Sequence, residues 1–242
     1  MHKSGTASLA DKGKEFSVNL FEIRLECGII FVKYATKTER THSVRRKEGK
    51  TDMKYASNNI RNILIAGHAG SGKTTLTEAL VYFSGAAERM GRVEDGTTIS
   101  DFDPEEAKRK ASLSASVVPV EYEGIKYNLI DAPGLFDFEA GEYEGIRAAE
   151  SVLVVVSGRS GVTVGAEKAF QLARKNGKAT MVFVSKCDLE NANYFKILED
   201  MKIKFGSTVC PCVVPAKLDD GTPVYINLFS QKAFKYESGK QI

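Results

Sequence analysis

The sequence of 242 residues lacks several features that define special classes of protein. It has no run of eighteen consecutive apolar residues, so no segment is long and apolar enough to span a membrane. The N-terminus lacks a positively charged region followed by an apolar stretch, and we therefore expect no secretory signal. Four cysteines do not make a disulfide framework in a chain of this length, and the expected location is a reducing cytoplasm.

A strong excess of either charge is also missing. Lys and Arg number 34 against 31 Asp and Glu, and a net charge of +3 is too small to indicate a nucleic-acid partner. The excess is confined to residues 1–58, which carry +5, whereas residues 59–242 carry −2. The basic stretch 35–52 is predicted to be a solvated linker, with a nucleic-acid-binding arm as the alternative. Neither a membrane nor DNA is an expected partner of the remaining chain.

From residue 60 onwards the chain alternates between apolar segments and amphipathic ones. The predicted strands are 63–66, 117–122, 126–130, 151–156 and 179–184, and the predicted helices are 74–83, 142–150, 167–175 and 192–205. Because these strands have no polar face, the pattern predicts an α/β fold with a mostly parallel sheet covered by helices on both faces. Shorter strands are predicted at 208–214, 224–228 and 233–236, and a strand or hairpin within 16–34.

A glycine-rich segment between the first of these strands and the first helix matches the phosphate-loop pattern G-x-x-x-x-G-K-[ST]. It reads Gly67-His68-Ala69-Gly70-Ser71-Gly72-Lys73-Thr74 and is followed by Thr75. Its glycines allow successive backbone N–H groups to point at an anion at the start of a helix. Lys73 supplies a cation for the β- and γ-phosphates, and the Thr74 hydroxyl is a hard oxygen ligand for Mg²⁺. The segment predicts a nucleoside triphosphate site.

Two later segments, each at the end of a predicted strand, bear on the choice of nucleotide. In Asp131-Ala132-Pro133-Gly134, followed by Leu135, the carboxylate can hold a Mg²⁺-bound water and the glycine frees an N–H for the γ-phosphate. In Ser185-Lys186-Cys187-Asp188, the carboxylate can accept both N–H groups of a guanine edge, which adenine does not present. Since ligands bind at the carboxyl ends of the strands in open α/β sheets, the three segments predict a guanine nucleotide. A kinase would leave the last segment unexplained.

These motifs, in this order, resemble those of the translational GTPases, and most closely elongation factor G and its variant paralogues whose phosphate loop reads GHAGSGKTT. Further similarity lies in the first switch segment, residues 91–98 with Asp101, in Phe136-Asp137-Phe138, and in the turn Ser160-Gly161-Val162. The resemblance implies the three-layer phosphate-loop NTPase fold, GTP and GDP as ligands, Mg²⁺ as cofactor and the ribosome as partner.

The same resemblance implies a division of the chain. Residues 59–206 correspond to the GTP-binding domain, and residues 207–242 resemble the start of a subdomain inserted in it, which is incomplete. Residues 1–58 are expected to be a basic, partly disordered extension. Residues 1–52 have no counterpart in the family, and our hypothesis is that they are an upstream extension that is not normally translated.

Three departures from the family bear on its chemistry. Ser112 stands for the switch threonine that reaches Mg²⁺ in the GTP state in the family, and its hydroxyl keeps that ligation available. Ser185 replaces an asparagine, which implies weaker guanine binding. Leu135 replaces the histidine that helps to position the attacking water, and leucine has neither donor nor acceptor. We therefore expect weak GTP hydrolysis and assign no catalytic residue. A ribosomal protection factor and a non-catalytic GTP-binding regulator are the alternatives to an elongation-factor-G-like translation factor.

Overall fold

The computed structural model describes residues 28–32, 55–189, 191–237 and 240–241. The predicted strand character of residues 16–27 and 33–34 and the predicted linker at 35–52 lie outside the described residues, as does most of the expected N-terminal extension.

Within these ranges the chain forms five α-helices: α1 Lys73–Phe83, α2 Pro104–Arg109, α3 Ala140–Ala148, α4 Val164–Lys175 and α5 Tyr194–Phe205. The strands of the main sheet are β1 Gly28–Val32, β2 Ile60–Ala66, β3 Ser116–Tyr122, β4 Ile125–Asp131, β5 Ser151–Ser157, β6 Ala179–Ser185 and β7 Val209–Pro211. The shorter strands that follow are β8 Val213–Lys217, β9 Pro223–Asn227, β10 Lys232–Phe234, β11 Tyr236–Glu237 and β12 Lys240–Gln241. Single 3-10 turns lie at Ser57–Asn59 and Phe136–Phe138.

The main sheet has the strand order β3-β4-β2-β5-β6-β1-β7. Its four central strands β4, β2, β5 and β6 run parallel, while β3, β1 and β7 pair antiparallel at the two sides. Apolar clusters cover both faces, one with α3, α4 and α5 and the other with α1. Successive side chains of β5 point to opposite faces of the sheet, since Val154 belongs to the first cluster and Val155 to the second. The predicted α/β fold is confirmed.

Helix α2 is absent from the sequence-based prediction. Its six residues are too few for a periodic apolar pattern, but its start carries a complete capping box. Asp103 accepts a hydrogen bond from the backbone of Glu105, and its own backbone N–H donates to the Glu106 carboxylate. The helix ends at Lys110, whose φ of 55° is left-handed. Capping, rather than an apolar face, accounts for this short element.

The prediction of a single strand over 208–214 is wrong. The chain passes from β7 in the main sheet to β8 in a separate three-stranded sheet with order β10-β9-β8. Pro211 has no N–H with which to extend the β7 ladder, and Cys212 turns away to accept a hydrogen bond from the backbone of Leu228 at 2.8 Å. The strand predicted at 233–236 is likewise divided, since β10 ends at Phe234 and β11 pairs with β12.

Strand β1 comes from the region expected to be an extension outside the domain. It lies between β6 and β7, with Gly28 opposite Val184 and Val32 opposite Val209. Among the described strands β7 pairs only with β1. This part of the basic N-terminal region is therefore built into the main sheet.

Candidate nucleotide-binding site

The phosphate loop connects β2 to α1, as its sequence predicts. Gly67, Gly70 and Gly72 have positive φ angles of 138°, 71° and 96°. At Gly67 the need for glycine is also steric, because a Cβ atom there would lie 2.5 Å from the backbone oxygen of Val155 on the neighbouring strand. The loop therefore brings the N-terminus of α1 close to the end of the sheet, where N–H groups can bind an anion.

Lys73, the first residue of α1, provides the buried positive charge of the site. Its Nζ donates a hydrogen bond to the backbone oxygen of His68 at 3.1 Å. Burial lowers the pKa of Lys73, while the negative charges of Asp131, Glu142 and Asp101 act in the opposite direction. A cation held among carboxylates at the start of a helix is suited to the charge of a polyphosphate.

Hydroxyl and carboxylate oxygens gather beside this lysine. Thr74 Oγ1 lies 3.3 Å from Ser112 Oγ, which also contacts Asp101 Oδ1 at 2.7 Å. Asp131 is 1% exposed, and neither of its carboxylate oxygens has a hydrogen-bond partner. Burial raises the pKa of Asp131 to about 6, against the opposing influence of Lys73 and of the Thr74 and Ser100 hydroxyls. Two predicted metal ligands, Thr74 and Ser112, are thus brought together from separate segments.

Buried polar atoms without partners concentrate at this place. In the described part of the chain all seven such side-chain atoms belong to residues on the phosphate loop, on the segment before Ser112 or on the segment from β4 to α3, namely His68, Ser71, Thr98, Ser100, Asp131 and Glu142. Buried polar groups in native proteins are normally hydrogen-bonded, so this concentration of polar atoms suits a site that binds a polar ligand.

The donor set fits Mg²⁺, which prefers oxygen ligands and completes its coordination with water and phosphate. Within the residues that the structure describes, no three His, Cys, Asp or Glu side chains are grouped to hold a metal by themselves. Thr74 and Ser112 would therefore share the ion with a nucleotide phosphate.

The segment Asp131–Leu135 begins at the end of β4 and passes over the phosphate loop. The backbone N–H of Ala132 donates to Ile65 on β2 at 3.2 Å. Gly134 lies directly against Lys73 and Ala69, and a Cβ atom there would approach the Ala69 nitrogen to 2.7 Å. Only glycine allows this close approach of the two loops. Leu135 is 39% exposed and places no polar atom beside the site.

A cavity of about 300 Å³ occupies the space between these segments. Many of the predicted site residues line it, namely Ala69, Gly70, Gly72, Lys73, Thr74, Thr75, Ser112, Gly134, Leu135 and Lys186. The remaining predicted residues do not line this cavity: Gly67 and Pro133 line a second cavity, and the others are His68, Ser71, Asp131, Ala132, Ser185, Cys187 and Asp188. His68, for example, turns its ring toward Phe136, with the ring centroids 5.8 Å apart.

The predicted guanine segment follows β6 and is joined to the phosphate loop. Ser185 Oγ donates to the backbone oxygen of Ser71 at 2.6 Å, and Lys186 Nζ donates to that of Gly70 at 2.8 Å. Cys187 packs against the apolar core, whereas Asp188 is exposed at the end of the segment. The serine hydroxyl therefore holds the two loops together, and the carboxylate of Asp188 is accessible to a base.

Residues 58–238 match the family model described as the elongation factor Tu GTP binding domain. The chain belongs to this family. An elongation factor G-like protein of Mycobacterium tuberculosis is 36% identical over 182 residues, which make up 75% of the chain and 25% of that protein. Elongation factor G of Chlamydia caviae is 32% identical over 186 residues, or 77% of the chain and 27% of that protein. A solved structure from Thermus thermophilus is 41% identical with a TM-score of 0.69, covering 76% of the chain and 27% of its own.

The chain is thus similar to elongation-factor-G-like members of the translational GTPase family, and the part that it shares with them is the GTP-binding domain. The chain spans about a quarter of the length of the curated relatives it matches. In the described ranges of this GTPase, no helix is long and apolar enough to cross a bilayer.

Three residues of the GTPase site are missing from the sequence-based assignment. Asp101 contacts Ser112, Gly158 donates its N–H to the backbone oxygen of Ser185 at 2.6 Å, and Glu142 lines a second cavity of about 230 Å³ beside Gly134 and Leu135. Asp101 belongs to the first switch segment, and its residue type was the only available signal. Glu142 belongs to no motif.

Glu142 is a half-buried carboxyl group close to Lys73 of the phosphate loop. Its Oε1 atom has no hydrogen-bond partner. Burial raises the pKa of Glu142 to about 7, and Lys73 and Lys168 oppose this effect while Glu139 adds to it. Its charge state therefore changes close to neutral pH, within reach of the lysine that binds phosphate.

Proposed function

We propose that the chain is the GTP-binding domain of an elongation-factor-G-like translation factor that acts on the ribosome in the cytoplasm and uses Mg²⁺. The observation that carries this proposal is that the phosphate loop brings Lys73 and Thr74 beside Ser112 and is joined through Ser185 and Lys186 to the segment that ends in Asp188. The names of the relatives support the ribosome as partner, among them ribosome-releasing factor 2 of Drosophila ananassae mitochondria, 31% identical over 183 residues.

Each part of the site has its own task in this proposal. The phosphate loop and Lys73 bind the β- and γ-phosphates, Thr74 and Ser112 hold Mg²⁺, and Asp188 accepts the guanine edge. Bound Mg²⁺ supplies positive charge to the phosphate oxygens. Ser185 and Lys186 fix the base loop to the phosphate loop, so that both ends of the nucleotide meet one rigid surface.

The domain assignment follows the same proposal. Residues 59–206 form the GTP-binding domain, and residues 207–242 form the start of an inserted subdomain. The three-stranded sheet of β8, β9 and β10 supports a separate subdomain, because among the described strands it pairs with none of the main sheet. Strand β7 still belongs to the main sheet, so the pairing places the boundary between β7 and β8, a few residues after 206.

GTP hydrolysis by this domain is expected to be slow. Phosphoryl transfer depends on positioning and electrostatics, and Leu135 offers no atom that can hold an attacking water. This observation also favours a second candidate function, a GTP-binding regulator that does not turn over. Single-turnover GTP cleavage with and without ribosomes separates the two, because a regulator stays inactive in both conditions.

Base choice is tested by displacement of a fluorescent GDP from the full chain. Excess GTP is expected to displace it, ATP to leave it bound, and Lys73→Ala to abolish the signal. Lys168→Ala is the matched control, since Lys168 is exposed and pairs with Glu139. Equal displacement by ATP and GTP would refute the guanine assignment.

A further inference from the structure

The position of Ser112 depends on the long segment between α1 and β3. Apart from α2, residues 84–115 contain no helix or strand. Such a segment has few backbone hydrogen bonds of its own, and a side chain on it keeps one position only where other groups hold the backbone. One group that holds the backbone beside Ser112 is the carboxylate of Glu106 on α2.

Glu106 is 1% exposed, and both of its carboxylate oxygens are engaged. Oε1 accepts hydrogen bonds from the backbone N–H groups of Leu113 and Ser114 at 2.8 and 3.1 Å, and from the Ser114 hydroxyl at 3.4 Å. Oε2 accepts the N–H of Asp103 at 3.4 Å. One buried side chain therefore ties the start of α2 to the two residues that directly follow Ser112.

The backbone on the other side of Ser112 is held by the same residue. Lys110 turns the chain with a φ of 55°, and the N–H of Ala111 donates to the backbone oxygen of Glu106 at 3.2 Å. Ser112 thus lies in a short loop whose two flanks are both bonded to Glu106. In this loop its hydroxyl lies 3.3 Å from that of Thr74.

Burying a carboxylate is unfavourable unless hydrogen bonds compensate it, and bonds from N–H groups to an ionised oxygen are among the stronger ones. Glu105, the preceding residue, shows the contrast. Its carboxylate is 44% exposed and pairs only with Arg109, at 2.7 Å on the helix surface. Glu105 and Glu106 therefore differ both in how deeply they are buried and in which groups they bind.

We infer that Glu106 is a positioning residue for the cation site: it holds the backbone of the 110–114 loop so that the Ser112 and Thr74 hydroxyls face one ion. This inference rests on the proposed Mg²⁺-dependent binding of GTP. Removal of a group that orients a ligand typically weakens metal binding by roughly 10- to 100-fold. Glu106→Ala should have that effect on Mg²⁺, although Glu106 itself does not touch the ion.

The first experiment measures the release of a fluorescent, non-hydrolysable GTP analogue from the 242-residue chain over a range of Mg²⁺ concentrations and in EDTA, because the switch hydroxyl of the family reaches Mg²⁺ in the GTP state. Glu106→Ala is expected to raise the Mg²⁺ concentration for half-maximal retention by roughly 10- to 100-fold and to leave the rate in EDTA unchanged. Glu106→Gln keeps an oxygen acceptor for Leu113 and Ser114 and should fall in between. Glu105→Ala is the matched control and should behave as the wild type.

A double-variant cycle distinguishes positioning from general stability. If Glu106 acts through Ser112, the Ser112→Ala variant shows the same Mg²⁺ shift, and Glu106→Ala adds nothing to it. Additive shifts, or a loss of GTP-analogue binding that is equal with Mg²⁺ and with EDTA, overturn the inference. Should Glu106→Ala not fold, the same cycle is carried out with Glu106→Gln.

A third measurement needs neither nucleotide nor metal. Amide hydrogen exchange of the free chain is expected to show faster exchange at Leu113 and Ser114 in Glu106→Ala but not in Glu105→Ala. Unchanged exchange would contradict the inference. If the wild type binds no guanine nucleotide, the proposed function fails. If it binds with Mg²⁺ and Glu106→Ala keeps that dependence, the inference alone fails.

Discussion

At the scale of single residues, the site contains two groups suited to binding a phosphate ligand and one residue, Leu135, whose side chain cannot position a water for GTP hydrolysis. Lys73 and Thr74 occupy the places that the phosphate-loop pattern predicts. Leu135, beside them, presents an apolar side chain on the path to the same cavity. Binding and turnover are therefore separable properties of this domain, and each can be tested by a change at one position.

The first prediction concerns Leu135. Leu135→His supplies a donor and acceptor at the mouth of the cavity, and positioned groups of this kind contribute roughly 10²- to 10⁴-fold to rate. Single-turnover GTP cleavage on ribosomes should rise by about 10²-fold or more, while the affinity for GDP stays within about twofold. Leu135→Ala is the control for altered packing and should give no increase. An equal effect of both variants would show that polarity at this position is not what limits hydrolysis.

The second prediction concerns Glu142 and pH. Because burial raises its pKa to about 7, the folded chain binds a proton that the unfolded chain has released above its ordinary value of 4.5. The contribution of Glu142 to stability is therefore fully present below pH 4.5 and is lost as the pH rises to 7. Glu142→Gln has no such loss and should be more stable than the wild type at pH 8, by roughly 1–3 kcal/mol.

The measurement for Glu142 is the free energy of unfolding in urea at pH 5 and pH 8. The difference between variant and wild type should be much smaller at pH 5. Glu144→Gln is the control, because Glu144 lies exposed on the same helix. A constant difference across this pH range would contradict the raised pKa.

At the scale of elements, the site depends on how loops at the ends of β2, β4 and β6 are joined. Most of these elements were predictable, because strands buried on both faces read as apolar runs and the helices between them are amphipathic. Helix α4 begins at Val164, one turn before the prediction, and Gly165 lies against His68 of the phosphate loop. Contacts of this kind, between residues far apart in the sequence, decide where a helix begins, and they cannot be predicted from the local hydrophobic pattern.

The third prediction concerns the joint between β6 and the phosphate loop. Ser185→Ala removes the donor to the backbone oxygen of Ser71 and leaves that buried acceptor unpaired, at a cost of about 1–3 kcal/mol. GDP affinity should fall by roughly 5- to 100-fold as the two loops lose their connection. Ser160→Ala, an exposed serine on the neighbouring turn, is the control. Unchanged GDP affinity in Ser185→Ala would mean that this bond does not shape the site.

At the scale of the whole molecule, β1 links the N-terminal region to the main sheet. It covers the edge of β6, the strand that ends in the guanine segment, and it connects β7 to the sheet. The apolar alternation within 16–34 predicts a strand or hairpin in this region, but it contains no information about the partner strand. The partner strands of β1 are determined by pairing between residues that are far apart in the sequence.

The fourth prediction follows from this arrangement. A chain that begins at Met53 lacks β1 and leaves the N–H and C=O groups of the β6 edge unpaired. We expect it to melt at a lower temperature than the full chain and to self-associate, as measured by calorimetry and size-exclusion chromatography. A monomer with the melting temperature of the full chain would show that β1 contributes nothing to the fold.

The sequence by itself determined the main alternation of strands and helices up to residue 206 except α2, the phosphate loop and the segments at the strand ends, because each depends on local spacing and residue type. Tertiary structure alone decided that Ser112 meets Thr74, that Glu106 holds the loop around it, and that Glu142 is half-buried near Lys73. These groups are far apart in the chain or belong to no motif. Burial and hydrogen bonding, which give a carboxylate its role, arise only when the whole sheet and its helices have assembled.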